Sequence, residues 1–154
     1  MKHSLLFLTL GFAILAYPQT MMHASGPFQV KLKPQTSEEK LEDATLGRLS
    51  IDKQFHGDLE ATSKGQMLTA GTETKGSAGY VAIERVTGSL HSRTGTFIFQ
   101  HSSTLNRGVP QQSITVVPDS GTGQLGGLTG KMVVNIGPDR KHSYDFEYTL
   151  PTAP

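Results

Sequence analysis

Three ionisable side chains stand where strand alternation calls for apolar ones. Lys53 falls between Ile51 and Phe55, Glu84 follows Tyr80 and Ala82, and His101 follows Phe97 and Phe99. Tyr144 and Tyr148 share the face of Phe146 in the same way. Alternate residues of a strand face one side, so each set aims a polar group into an apolar interior. A charge there is costly unless it is paired. An ammonium, a carboxylate, an imidazole and phenols meeting in one such space could fix the polar end of an apolar ligand, or handle a proton on it. The expected ligand-lining set is Lys53, Tyr80, Glu84, Phe97, Phe99, His101, Tyr144 and Tyr148, with no residue assigned to catalysis. Burial would push the Glu84 carboxyl toward neutrality, and a nearby Lys53 would oppose that. Two alternatives stand beside this reading. One is a purely structural ion pair, or a snorkelling lysine, with His101 satisfied by a hydrogen bond. The other reverses the parity of one strand, so that Val81 and Ile83 face the core and Arg85 comes inside.

The element that must position Glu84 and His101 runs from Gly79 to His101, read as two long strands joined by a polar turn at Leu90 to Thr94. Gly88 and Gly95 lie near the strand–turn boundaries, where a bulge or a positive φ is expected. Strand signals continue on both sides. Phe28 to Lys33 alternates up to Pro34, and Leu49 to His56 alternates up to Gly57. Asp58 to Thr62 and Gln66 to Glu73 are separated by an expected kink at Ser63-Lys64-Gly65. Gln35 to Asp43 is polar and reads as a surface loop or one turn of helix, and Leu105 to Gln111 as a loop. Ile114 to Val117 is a short β-branched strand, Asp119 to Thr129 a glycine-rich linker, and Lys131 to Ile136 with His142 to Leu150 a last hairpin. No helix-period run occurs after the N-terminal segment. An all-β chain of about eight closely spaced strands is expected to close as an antiparallel barrel, because closure removes exposed edges. A β-sandwich is the alternative.

The N-terminus has the form of a secretory signal peptide: basic Met1-Lys2-His3, an apolar run from Leu5 to Ala16, a break at Tyr17-Pro18, and small residues at Ala24 and Ser25. The expected division is residues 1–24 as signal peptide and residues 25–154 as a single barrel domain, exported to the periplasm or beyond. After cleavage nothing remains to hold a membrane; an uncleaved anchor is the alternative. The 154 residues include no cysteine, which excludes disulfides, thiolate metal sites and cysteine nucleophiles. A net charge of +1 gives no reason to expect nucleic acid as a partner.

Gly121-Thr-Gly123-Gln-Leu-Gly126 matches a dinucleotide fingerprint, but that motif needs a helix next to seat a pyrophosphate. Gly127-Leu-Thr-Gly130 and a strand follow instead, so nucleotide binding is rejected. His56, His91 and His142 read as surface residues, and none of the four histidines outside the signal has a partner at metal-ligand spacing. No metal and no cofactor is expected.

Several segments together resemble a known group of proteins. Ser50-Ile-Asp-Lys53-x-Phe55-x-Gly57-Asp-Leu59-Glu60, Gly79-Tyr-Val-Ala-Ile-Glu84-Arg and Gly95-Thr-Phe-x-x-Gln100-His101 are similar to a bacterial family of domains of unknown function. So are Val116-Val-Pro-x-Ser-Gly-Thr-Gly123, Leu125-x-Gly-Leu-x-Gly130 and His142-x-Tyr144-x-Phe-x-Tyr148. The resemblance spans Phe28 to Leu150 and implies a small barrel of the allene-oxide-cyclase-like type. It carries no established activity and no catalytic residues, and the leader is a departure from many members. The function expected is an exported barrel that holds a small, largely apolar ligand inside. An isomerase or cyclase acting on a lipid-like substrate, with Glu84 or His101 handling the proton, is the second reading. A structural or interaction domain with a closed core is the third. The Val81 and Ile83 faces leave room for a homo-oligomer.

Overall fold

A computed structural model describes residues 20–35 and 37–151. The expected leader run, Leu5 to Ala16, lies outside them. The strands in order are β1 (Met22–Pro34), β2 (Glu39–Lys40), β3 (Ala44–Phe55), β4 (Leu59–Thr72), β5 (Ala78–Leu90), β6 (Arg93–Asn106), β7 (Val109–Val116), β8 (Thr129–Ile136) and β9 (His142–Thr149). Neighbours pair in the order β1-β9-β8-β7-β6-β5-β4-β3-β2, and β1 also pairs with β3. Eight antiparallel strands therefore close into a barrel, with β2 appended to β3. Among the described residues the only helical piece is a 3-10 turn at Gly123–Leu125. It is too short to present a helix N-terminus to a phosphate, in keeping with the rejected fingerprint.

Closure rests on β1. Its first half pairs with β9 from Met22↔Tyr148 to Phe28↔His142, and its second half with β3 from Phe28↔Phe55 to Pro34↔Leu49. The loosest seam is β7–β8, where only Ile114↔Met132 and Thr115↔Lys131 are in register. Above them the β7 edge is free toward β8, which is why Pro110, lacking an N–H, is tolerated inside a strand.

Four local expectations are corrected. The kink at Ser63-Lys64-Gly65 is absent, since β4 runs unbroken with Ser63 opposite Lys53 and Gly65 opposite Glu84. The loop at Leu105 to Gln111 shrinks to a two-residue turn, Arg107–Gly108, between β6 and β7. The turn at Leu90 to Thr94 likewise tightens to His91 and Ser92, with φ of 44° and 66°, the left-handed pair that matches strand twist in a two-residue hairpin. Gly88 has the expected positive φ, at 159°, but neither glycine marks a turn: Gly88 and Gly95 face each other within the β5–β6 ladder. A Cβ on Gly88 would lie 2.3 Å from the Glu60 carbonyl oxygen, so close approach of β4 is what demands glycine there.

The core is the inner face of the barrel. Phe55, Leu59, Val86, Leu90, Phe99 and Phe146 have no accessible surface at all. Tyr144 closes one end. Its hydroxyl accepts the Leu59 N–H at 2.8 Å and donates to the His56 carbonyl at 3.0 Å, pinning β9 to the β3–β4 turn. Burial pushes its phenol up to about 12. Tyr144→Phe is expected to cost about 1–3 kcal/mol in chemical denaturation, because a buried N–H loses its acceptor; a smaller loss would mean that water takes over the bond.

Candidate functional site

The parity of β5 is settled by burial: Glu84 is 0 % exposed, whereas Val81 and Ile83 are 53 % and 50 % exposed, and Arg85 is outside. Lys53 of β3 and His101 of β6 converge on Glu84 from either side. The Lys53 ammonium lies 2.6 Å from Glu84 Oε2, and His101 Nε2 lies 3.0 Å from the same oxygen. Ser63 of β4 donates its hydroxyl to the other oxygen, Oε1. Four adjacent strands thus supply one carboxylate and three groups that hold it. The Lys53 ammonium also sits 5.4 Å and 5.6 Å from the ring centres of Phe28 and Phe55, which shield it as a π-faced cage.

Burial by itself would push the Glu84 carboxyl up; His101 and Lys53 outweigh it and hold the group at about 2. The carboxylate is therefore ionised across the ordinary pH range. The in-plane direction at His101 Nε2 does not run along the line to the carboxylate, so Nε2 has no aligned hydrogen-bond partner among the described residues, and the two groups meet by proximity.

The other expected lining residues do not join this cluster. Phe97 and Phe99 pack edge to face at 4.9 Å and extend through Phe146 to Tyr148 as one column of rings. The Tyr148 hydroxyl is 2.6 Å from His91 Nδ1, and His91 Nε2 is 3.4 Å from Asp58. Tyr144 and Tyr148 thus serve the end of the barrel away from Glu84. Tyr80 is half-buried at the opposite mouth, where its hydroxyl accepts a hydrogen bond from Gln112. A side chain beside a void that admits water would show accessible surface. Glu84 and Phe99 show none, and Phe97, Tyr144 and Tyr148 only 1 %, so the lumen between them is filled.

Room of ligand size lies on the outside of the sheet. One hollow of about 790 Å³ is lined from β3 to β7 and includes Leu46, Leu68, Val81 and Thr104. A second, of about 370 Å³, shares Leu68, Val81 and Ser102 with it and adds Ile83. Strand by strand, the lining is two outward residues with the inward residue between them, as in Val81-Ala82-Ile83 and Gln100-His101-Ser102. That is the pattern of a hollow on the outer face, floored by backbone. His101 and Tyr80 border these hollows from beneath the sheet. No Asp, Glu, Lys or Arg lines either one.

Reasoning from the sequence missed Ser63 and His91. Continuing the Leu59, Ala61 alternation through the supposed kink would have placed Ser63 inside. Nothing in the spacing of His91 could have revealed Tyr148, 57 residues away.

Comparison with known proteins gives one family. The model of a protein family of unknown function, DUF3224, matches residues 24–148. A crystal structure of a protein of unknown function from the DUF3224 family of Shewanella oneidensis is similar at 43 % identity and a TM-score of 0.82, covering 87 % of this chain and 100 % of that one. The curated proteins contain no match.

Proposed function

The chain belongs to the DUF3224 family of unknown function, and from that premise we propose that it is an exported binding protein for a small, neutral, elongated and largely apolar molecule. The observation that carries this reading is the pair of joined hollows on the outer face. Their volume is in the range of small-molecule sites, their walls are apolar, and the outward polar groups on their rims are hydroxyls and amides such as Ser102, Thr104 and Gln111. A charged headgroup would meet no counter-charge there. The seat is this outer face and not the lumen, which has no space for a guest.

Leu68, Val81 and Ile83 lie side by side on β4 and β5, with Leu68 opposite Val81 and Gln66 opposite Ile83. They are the contact surface such a ligand would cover. Glu84 enters only as the buried anchor that keeps β5 in register. Its sealed and ionised carboxylate argues against Glu84 as the proton-handling group of the isomerase or cyclase reading, since such a group must meet substrate and exchange a proton with it.

The test is titration with N-phenyl-1-naphthylamine, followed by competition with a long-chain alcohol and with the matching fatty acid. Saturable binding, displaced more readily by the alcohol, is expected. Val81→Glu should weaken it by about a hundredfold, since a carboxylate in an apolar wall is poorly solvated, with the melting temperature unchanged. Binding that survives Val81→Glu, or a stable dimer that hides this face and becomes monomeric in that variant, would remove the proposal.

A further inference from the structure

The expected cut after Ala24 can be set against what residues 22–24 do in the fold. Met22, His23 and Ala24 are in register with Tyr148, Glu147 and Phe146. Ala24 is completely inaccessible and belongs to the core, and Met22 packs against that core. His23 lies 3.3 Å from Asp145. These residues are the start of the strand that closes the barrel. Without them the β1 side of Phe146 to Tyr148 becomes a bare edge, and the ring column behind it opens to water. One gain would offset part of this: the Ser25 nitrogen, 2.9 Å from Asp58 Oδ2, would become an ammonium. A single ion pair at a solvated rim is worth less than three ladder pairs and two core side chains.

We propose that the leader is removed upstream of Met22, so that the processed chain keeps Met22–Ala24 as the first residues of the closing strand. The inference rests on the export reading. The chemistry is hydrolysis of one peptide bond by the host's leader peptidase: water adds across the amide, leaving a carboxylate on the leader and an ammonium on the domain. The bond lies in the stretch of sequence from the end of the apolar run at Ala16 to Met22.

The full-length chain is produced in a Gram-negative host, the periplasm is separated, and the N-terminus is read by intact mass and sequencing. A periplasmic species that begins between Tyr17 and Met22 is the expected result. One that begins at Ser25 or later overturns the position of the cut and leaves export standing. Full-length chain alone, in cytoplasm or membrane, overturns export and this inference with it. A second measurement probes the physical argument directly, using chains made to start at Met22 and at Ser25. The shorter one is expected to melt lower by roughly 10 °C or more, and equal midpoints would overturn the argument.

Discussion

Glu84→Ala is expected to destabilise the protein by about 3–5 kcal/mol, the range for a buried ion pair that loses one partner, and to lower the melting midpoint by roughly 10–20 °C. The cause is what it leaves behind. The Lys53 ammonium, its side chain 9 % exposed, would have no counter-charge, and His101 and Ser63 would lose the group they surround. The cluster as a whole is another matter. Replacing a buried ion pair by apolar side chains of similar volume is often neutral or stabilising, so Lys53→Met with Glu84→Leu should recover most of the loss. Denaturant unfolding of the parent, the single variant and the double variant checks both statements. A Glu84→Ala protein within about 1 kcal/mol of the parent would mean that the ammonium escapes to water between Phe28 and Phe55.

The second large effect is in acid. The Glu84 carboxyl is held at about 2 in the folded protein against an ordinary value of 4.5. A group whose pKa is depressed by folding contributes stability above its unfolded pKa and loses it as pH falls through the folded one. The difference corresponds to about 3 kcal/mol, present at neutral pH and lost between pH 4.5 and 2. Other carboxylates titrate in the same window, so the informative quantity is the gap in stability between the parent and Glu84→Gln. It should be widest above pH 5 and narrow steadily toward pH 2. A gap that stays constant would show that Glu84 is not held ionised by its neighbours.

Much of this fold could be read from residue order alone, and the reasons are local. Two-residue periodicity assigns sides wherever one face is buried, so Lys53 and His101 are legible as inward-facing polar groups, whereas β5 is apolar on both faces around Glu84 and only burial separates its two parities. Long strands with clean alternation, such as Thr96 to His101, fixed both element and face. The misreadings came where a signal has two physical meanings. Gly65 looked like a break, but a Cβ there would lie 2.5 Å from the Ile83 carbonyl oxygen, so glycine is needed for β5 to approach β4 beside Glu84. Pro110 looked like a loop residue, and it is one only in lacking a partner on its outer edge. Whether a tube is hollow is not encoded in alternation at all. It depends on how ring volumes sum across strands that are distant in sequence, and here Phe97, Phe99, Phe146 and Tyr148 fill the space. The outer hollow was equally hidden, because its lining comes from five strands, from Leu46 to Ser113, that are brought together only by the fold.

The pairing of β1 with β9 joins the first of the described strands to the last, residues 22–28 to residues 142–148. A nascent chain cannot seal itself until its final hairpin has left the ribosome. Up to that moment it is an unfinished sheet with both outer strands waiting, and segments so far apart are slow to find one another. Late sealing also means that the barrel becomes resistant to unravelling only once residues 22–28 and 142–148 have both been made and have met.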